Sequence, residues 1–447
     1  MDQLPFEIIT QIVLAGALSF SDRGADYRNL ATYRVTLCSI STRLRHIALS
    51  TSSLWSRIKI YIDAYMQDAE SRNRSLLPML QLHLFRSGTA PLDFTLYIDY
   101  GPYEEASKMC EEAIWILMKP EMYRVQTFEM VGRPPTHHIL PLDGHYPALR
   151  TISVLRTVGF KSIDSSEAIF TADSTPANLT SLELQAMNHS VFQNIPGAKL
   201  ISLTILDWEV SWVPIHDFLL QCSQLVQCAL HLRPQDSVTS FQPVLLPHLT
   251  SLSIQDPAIF HWLSMPCLKE LSCIGDACQL AQIPPPDHPS NRADFVAQFK
   301  LKSLLLINNS DFEIFSTRSR LSFWETAFEH VTKVILQRSD VVPLALYLSE
   351  LENTNVASKD DAPEFIQSQG EGFGVQRHFP SLQYFEIESC YIPDADPPDP
   401  HPVADHLGHL LEVRPGVTLM YGPALSEELE YLSPALRART VPKDLKH

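Results

Sequence analysis

Four short stretches of the sequence share one apolar pattern: LTSLELQ at residues 179–185, LTSLSIQ at 249–255, LKELSCI at 268–274 and LKSLLLI at 301–307. In each stretch the first, fourth and sixth residues are apolar, and polar residues fill most of the positions between them. Such alternation predicts a short strand with one face toward a core. From residue 125 onward, ten copies of the pattern start at Val125, Leu149, Leu179, Leu200, Leu225, Leu249, Leu268, Leu301, Val331 and Leu382.

The spacing of these ten starts indicates a repeat architecture. The intervals are 24, 30, 21, 25, 24, 19, 33, 30 and 51 residues; apart from the last, they lie near the roughly 20–29 residues of leucine-rich repeats. Stacked strands of this kind form a parallel sheet, with the return segments as the outer wall of an arc. The Asn or Cys that usually follows a repeat strand stands only at Asn309 and Cys390, so we expect an irregular array. In a chain that is 45% hydrophobic, some copies of so loose a pattern are accidental.

The first 60 residues have a different, helical period. One helix is predicted from the apolar residues Leu4, Ile8, Ile9, Ile12 and Val13. A second helix, from about Tyr33 to Ala48, would carry Leu37, Ile40, Leu44, Ile47 and Ala48 on one face. A unit of about 60 residues buries too little apolar surface to be very stable alone, and we expect a partner to stabilise it.

The predicted fold class is therefore α/β, with a small all-α domain ahead of an irregular leucine-rich-repeat solenoid that has a parallel sheet. The domain limits are residues 1–60 for the helical domain, 61–120 for a linker helix and first strand, and 121–447 for the repeats. Residues 350–405 carry twelve acidic and two basic residues, a net of −10. We predict two exposed acidic, proline-rich loops there, at 353–378 and 393–402, because dense proline is incompatible with helices and central strands.

Composition excludes several classes of protein. The chain has 34 Lys and Arg against 51 Asp and Glu, a net charge of −17, which argues against a general nucleic-acid binder. Eight cysteines occur without a CxxC pair, so we interpret them as reduced thiols in a cytoplasmic or nuclear protein. Apolar runs are too short for a membrane helix, and no membrane partner is expected.

The sequence also has few candidate catalytic or metal-binding motifs, and we predict neither an enzyme nor a cofactor. The sequence lacks GxxxxGK[ST], HExxH and GxSxG motifs. The glycines of GEGFG (370–374) favour a flexible loop, and His137, His138 and His145 favour surface positions. Cys267, Cys273 and Cys278 with His261 could bind zinc, but Cys273 falls on an inward repeat position, which favours buried thiols. No metal site is therefore expected.

The N-terminal helical unit resembles an F-box domain, specifically the F-box-like proteins of mushroom-forming fungi. The resemblance rests on LPFEIITQI (4–12) and ISTRLRHIALSTSSLWSRI (40–58), with LHLFRSGTAPLDFTLYI (82–98) as the helix and strand that follow. The family pattern has Cys where this chain has Ser41, Trp where it has Leu44, and Pro where it has Ser52 or Ser53. The missing tryptophan removes a large apolar contact.

The resemblance implies that the unit binds a Skp adaptor, which links the chain to a cullin-RING ubiquitin ligase, while the repeats bind a protein substrate. The implied adaptor-binding residues are Leu4, Pro5, Ile8, Ile12, Ile40 and Leu44. From their places on or after the strands, candidate substrate-binding residues are Glu183, Gln185, Asp207, Trp208, Tyr384, Glu386 and Glu388. Trp212, near Trp208, could anchor a partner or pack internally. The alternative function is a repeat-based interaction scaffold whose degenerate F-box takes no part in ubiquitination.

Overall fold

A computed structural model of the 447-residue chain describes residues 4–21, 27–63, 69–99, 104–132, 146–155, 170, 176–185, 192, 194–208, 212–232, 243–255, 259, 262–274, 301–307, 330–340, 381–391, 402–422 and 425–442. The chain is a mixed α/β protein that divides into two compact units, Met1–Cys222 and Ser223–His447. The domain limits predicted near residues 60 and 120 both fall inside the first unit. Across the described ranges, no helix has the length and apolar character to cross a membrane.

Four helices begin the first unit: α1 (Phe6–Ser21), α2 (Tyr27–Ile40), α3 (Thr42–Ser50) and α4 (Ser52–Trp55). The prediction of one helix from Tyr33 to Ala48 is wrong, because Ser41 separates two helices. Its backbone is extended (φ −154°), and its side-chain oxygen accepts a hydrogen bond of 3.1 Å from the Leu44 N–H. A serine in this role caps the first turn of a new helix.

Six parallel strands follow in the first unit, and they neighbour one another in chain order. The elements are β1 (Arg57–Asp63), α5 (Ala69–Ser87), β2 (Leu92–Asp99), α6 (Glu104–Met118), β3 (Val125–Gly132), β4 (Thr151–Leu155), β5 (Ser181–Gln185), β6 (Ser202–Trp208) and α7 (Trp212–Leu219). Every adjacent pair from β1 to β6 is parallel. Short 3-10 helices, Lys119–Arg124 and Gly197–Lys199, precede β3 and β6.

The second unit also has a parallel sheet, of eight strands among its described residues. Its elements are β7 (Gln227–Leu232), β8 (Val244–Leu245), β9 (Ser251–Ile254), β10 (Leu263–Ser264), β11 (Glu270–Ile274), β12 (Ser303–Ile307), β13 (Lys333–Asp340), β14 (Tyr384–Tyr391), α8 (Pro402–Val413), β15 (Thr418–Tyr421), α9 (Ser426–Leu429), α10 (Pro434–Arg437) and β16 (Thr440–Pro442). The strand order is β7-β9-β11-β12-β13-β14-β15-β16, and β8 pairs separately with β10.

The prediction of a parallel sheet is confirmed, and each of the ten pattern starts leads into one of its strands. Val125 is the first residue of β3, and the other nine starts lie two residues before β4, β5, β6, β7, β9, β11, β12, β13 and β14. The apolar residues of the pattern are buried, as at Leu179, Leu182 and Leu184. Of the predicted acidic loops, 353–378 lies outside the described residues, as does 393–402 apart from Pro402. That proline begins α8, where its missing N–H costs no helical hydrogen bond.

A short turn before several strands explains why proline recurs there. The N–H of the start residue donates to the carbonyl three residues earlier, as from Leu149 to Tyr146, from Leu249 to Leu246 and from Leu268 to Met265. The second residue of these turns is proline, at 147, 247 and 266. Proline fixes the backbone angle φ that this turn position needs.

In the first unit, the apolar face of the sheet lies under helices. Ile58, Ile60 and Ile62 of β1 are fully buried, as are Phe94 of β2 and Phe128 of β3. Trp115 of α6 packs on this face, with ring centroids 6.4 Å from Phe94 and 5.8 Å from Phe128. The other sheet face therefore carries the alternate residues of the same strands.

Candidate functional site

Helix α1 has two apolar faces, and only one of them packs inside the protein. Ile9, Val13 and Ala17, spaced four residues apart, are buried in a core with Leu37, Ile47, Ala48, Leu54 and Trp55. On the other side, Ile8 and Ile12 are 48% and 49% exposed. A helix that needs only one apolar stripe to pack has a second stripe available for a partner.

Hydrogen bonds across the helices hold α1 in this orientation. The Tyr33 hydroxyl of α2 donates to the Val13 carbonyl at 3.1 Å. The approach is so close that a Cβ on Gly16 would lie 2.3 Å from the Tyr33 hydroxyl oxygen. Arg43 of α3 donates to the Leu4 carbonyl and so ties the start of α1 to α3. The exposed face of α1 is therefore presented by a fixed scaffold.

Exposed apolar residues also occur beside α1. We define the N-terminal apolar surface as Leu4, Phe6, Ile8, Ile12, Val35 and Ile40, which are between 38% and 69% exposed. Of the predicted adaptor-binding residues, Leu4, Ile8, Ile12 and Ile40 belong to this set, and Pro5 is exposed beside it. Leu44 differs, because it is half-buried and packs against the core. Phe6 and Val35 were not predicted, although Phe6 lies inside the quoted LPFEIITQI stretch.

A buried arginine fastens these helices to the sheet. Arg34 of α2 is only 4% exposed. Its Nε donates to the Leu54 carbonyl at 3.0 Å, and its Nη2 donates to the Arg57 carbonyl at 2.7 Å. Its Nη1 lies 3.3 Å from Nδ1 of His83 on α5, and its guanidinium carbon lies 5.7 Å from the Trp55 ring centroid. One side chain thus joins α2, α4, β1 and α5.

Burial determines the charge states at this junction. Burial, followed by the charge of Arg57, lowers the pKa of Arg34 to about 10, so the guanidinium stays charged. Burial, followed by the charge of Arg34, lowers the pKa of His83 to about 3. The imidazole is therefore neutral at physiological pH and can accept a hydrogen bond from Arg34. Sequence periodicity could not reveal this contact, because the two residues are 49 positions apart.

A cavity of about 290 Å³ adjoins the junction. Its walls come from α1, α2 and α4 and from the starts of the first three strands, and they include Leu14, Arg34, Ser53, Arg57 and Asp93. Arg57 forms an ion pair with Asp93, with 3.6 Å between Nε and Oδ2. The cavity therefore contains charged groups of both signs.

On the sheet face opposite α6, strand register aligns a polar row. The row is Lys59, Thr95, Glu129, Ser153, Glu183 and Thr204, one residue from each strand of the first unit. Thr95 donates to the Glu129 carboxylate at 3.0 Å, and Ser153 donates to the Glu183 carboxylate at 2.8 Å. The row includes Glu183, one of the predicted substrate-binding residues.

The other predicted substrate-binding residues have mixed positions. Gln185 ends β5 half-buried, Tyr384 is exposed and Glu388 is half-buried. Asp207 and Trp208 end β6, but their side chains lie outside the described residues. The seven residues belong to both units, with Glu183, Gln185, Asp207 and Trp208 in the first and Tyr384, Glu386 and Glu388 in the second.

One expectation about these surfaces is wrong, and the burial of Trp212 decides between its two alternatives. Glu386 was expected to face solvent, but it is 1% exposed and lies 2.5 Å from the Lys333 ammonium on the neighbouring strand. A paired cation is what allows a carboxylate to occupy such a buried position. Trp212, the possible anchor, is buried in α7, so internal packing is the correct interpretation of that residue.

The described cysteines are free thiols, and most of them are buried. They are Cys38, Cys110, Cys222, Cys228, Cys267 and Cys273. Cys273 is buried, as predicted, and burial raises the pKa of Cys222 and of Cys273 to about 12, so both thiols are protonated. Within the described ranges, no group of three His, Cys, Asp or Glu side chains could hold a metal ion. His137, His138, His145, His261, Cys278 and residues 370–374 lie outside those ranges.

Comparison with known proteins adds no assignment. No model of a protein family matches the sequence, and no curated protein sequence matches it either.

Proposed function

We propose that the chain is a substrate-recognition subunit of a Skp-cullin-F-box ubiquitin ligase. In this proposal α1 to α4 form an F-box domain that binds the Skp adaptor, and the strands form an irregular leucine-rich-repeat solenoid that binds a protein substrate. The chain itself does no chemistry. It holds a substrate near a ubiquitin-charged enzyme, which turns an intermolecular encounter into a local one.

One observation carries the adaptor-binding half of the proposal. Ile8 and Ile12 lie half-exposed on a helix whose opposite face already fills the core of the unit. Internal packing therefore does not account for their apolar character. Exposed apolar residues that internal packing does not use are a common sign of a protein-binding site.

The proposal that the strands form a repeat solenoid is supported by their regular order and pairing within each unit. Within each unit, successive sheet strands follow chain order and pair in parallel. The same turn recurs before several strands. In it, the N–H of the first residue of the apolar pattern donates to the backbone carbonyl three residues earlier. A unit of turn, strand and return segment that stacks on its neighbours is the construction principle of solenoid repeats.

The test is co-expression of the full-length chain with the Skp adaptor, followed by size-exclusion chromatography. The wild-type chain should co-elute with the adaptor as a one-to-one complex. A chain with both Ile8→Asp and Ile12→Asp should elute alone, because each charge would be buried at the interface without a partner. Its circular dichroism spectrum should remain that of the wild type, because both positions are exposed.

The matched control is Leu82→Asp on α5. Leu82 is 45% exposed, nearly the same as Ile8, but it lies outside the N-terminal apolar surface. The control should leave the complex intact. If the folded wild-type chain does not co-elute with the adaptor, the receptor proposal fails and the alternative of a repeat scaffold with a degenerate F-box takes its place. The half-buried position of Leu44 would then be consistent with the decayed contact.

A further inference from the structure

The cavity beside Arg34 has an uncompensated positive charge. Three charged side chains line it: Arg34, Arg57 and Asp93. Asp93 is paired with Arg57 at 3.6 Å. Among the described residues, no carboxylate contacts the Arg34 guanidinium, whose hydrogen-bonding partners are two backbone carbonyls and His83. Among the described lining residues, the charges therefore sum to one net positive charge.

Among the described residues, only neutral groups partner the Arg34 guanidinium. Nε and Nη2 donate to backbone carbonyls, and Nη1 lies 3.3 and 3.4 Å from the two ring nitrogens of His83, so the hydrogen bonds are made but no opposite charge is in contact. A cation that is 96% buried is costly unless an anion or enough acceptors compensate it. Arg57 adds to the cost, because a second positive charge nearby disfavours the charged form of Arg34. An anion in the adjoining cavity would remove both penalties.

The rest of the wall indicates what kind of anion fits. Leu14 and Ala17 of α1, with Leu54 and Pro91, give the cavity an apolar side. Ligand sites commonly combine such apolar walls with a few placed polar groups, at volumes comparable to this cavity of about 290 Å³. A single net positive charge matches a monoanion better than a dianion.

We propose that this cavity binds a small organic carboxylate, with its carboxylate group on Arg34 and its apolar body against α1 and Pro91. Guanidinium and carboxylate groups pair through strong, charge-assisted hydrogen bonds. Because the cavity lies between the N-terminal helices and the strand starts, a bound ligand would stabilise that junction. The inference is independent of adaptor binding and can be tested on the chain alone.

The first test compares benzoate with benzamide on the full-length chain. The two molecules have nearly the same size, but only benzoate is charged. Benzoate should raise the melting temperature in a dose-dependent manner, since a ligand that binds only the folded state stabilises it. Benzamide, and chloride at the same ionic strength, should have no such effect. No shift with benzoate, or an equal shift with benzamide or chloride, would overturn the proposal.

A charge-changing variant makes the test independent of folding failure. Arg34→Met should abolish benzoate binding, but it also removes the junction hydrogen bonds and so could unfold the chain. Asp93→Asn instead leaves Arg34 intact and raises the net charge of the cavity. Calorimetric titration should show benzoate binding about fivefold tighter to this variant, since a nearby repelling charge is gone. Unchanged or weaker binding would contradict the assignment.

Two controls separate the site from general effects. Asp405→Asn changes the net charge of the chain equally, but Asp405 is an exposed residue of α8 in the second unit, so the substitution should leave benzoate affinity unchanged. Ser53→Trp places a large side chain at an exposed residue of the cavity wall. It should weaken benzoate binding at least tenfold while the ligand-free melting temperature stays near that of the wild type. A wild-type affinity in Ser53→Trp would place the benzoate elsewhere.

Discussion

Replacing His83 with phenylalanine tests the charge states assigned to the junction. His83 is buried at 7% exposure, with its ring 5.3 Å from Trp55 in an edge-to-face contact. Phenylalanine keeps that contact and the volume but has no titratable group. The substitution therefore isolates the effect of the imidazole proton on stability.

The direction of the pH effect follows from the lowered pKa. In the folded chain the pKa of His83 is about 3, against an ordinary value of 6.5, because burial and Arg34 disfavour the charged ring. Below pH 6.5 the unfolded chain takes up a proton that the folded chain does not. The stability from this source is therefore complete above pH 6.5 and is lost progressively as the pH falls toward 3.

The size of the stability loss follows from the pH range between the folded and unfolded pKa values of His83. Each pH unit inside it costs about 1.4 kcal/mol, so a change from pH 6.5 to pH 5 costs about 2 kcal/mol of unfolding free energy. Other titrating groups add their own pH dependence, but they are common to both proteins. The loss of stability between pH 7.5 and pH 5.0 should therefore be about 2 kcal/mol smaller in His83→Phe than in the wild type.

Urea denaturation followed by circular dichroism at the two pH values provides the measurement. The matched control is His46→Phe on α3, where the side chain is exposed and keeps its solvent contacts in the folded state. Between pH 7.5 and pH 5.0, His46→Phe should lose as much stability as the wild type does. An equal loss in His83→Phe and the wild type would refute the buried, neutral imidazole and the acceptor role assigned to it.

Three further substitutions test single contacts, each by urea denaturation at pH 7.5. Gly16→Ala should cost about 1 kcal/mol, because the new Cβ displaces the Tyr33 hydroxyl from its hydrogen bond, and it should cost less in a Tyr33→Phe background; additive effects would contradict this coupling. Ser41→Ala should cost about 1 kcal/mol through loss of the α3 cap, whereas Ser41→Asp should retain most of the stability. Glu386→Gln should cost about 1 kcal/mol, because it removes the charge that pairs with Lys333, whose side chain is 37% exposed and can be solvated in part; a near-neutral result would show that the pair adds nothing.

The strands could be predicted from the sequence because each one carries its own signal. Alternation within five to eight residues shows the buried face of each strand, and the repeated turn fixes where the strand begins. The same reasoning missed β1, β15 and β16. Strands β15 and β16 lack the full six-residue pattern, whereas β1 has it at Trp55, Ile58 and Ile60, far ahead of the ten copies that begin at residue 125. Alternation does occur in β1, in RIKIYID, but a single stretch outside the repeat spacing has no support from neighbouring copies.

Contacts between distant residues could not be predicted in the same way. The break at Ser41 was missed because apolar residues keep a helical period on both sides of it. Arg34 was missed because its partners, Leu54 and His83, are 20 and 49 positions away. Glu386 was placed at the surface by a rule about its own strand, whereas its burial depends on Lys333 of the neighbouring strand. Pattern rules use the residues of a single helix or strand, whereas the burial and contacts of these positions depend on two elements.

The departures from the F-box pattern have a physical consequence for the proposed adaptor site. In the family pattern a tryptophan stands where this chain has Leu44, and Leu44 packs against the core here. The proposed interface therefore lacks that large apolar contact. Exposed Val35 and Ile40, at 69% and 61%, lie on the helix immediately before it and offer apolar area that does not depend on Leu44. Since buried apolar area is the main favourable contribution to association, the loss at one position does not by itself remove adaptor binding.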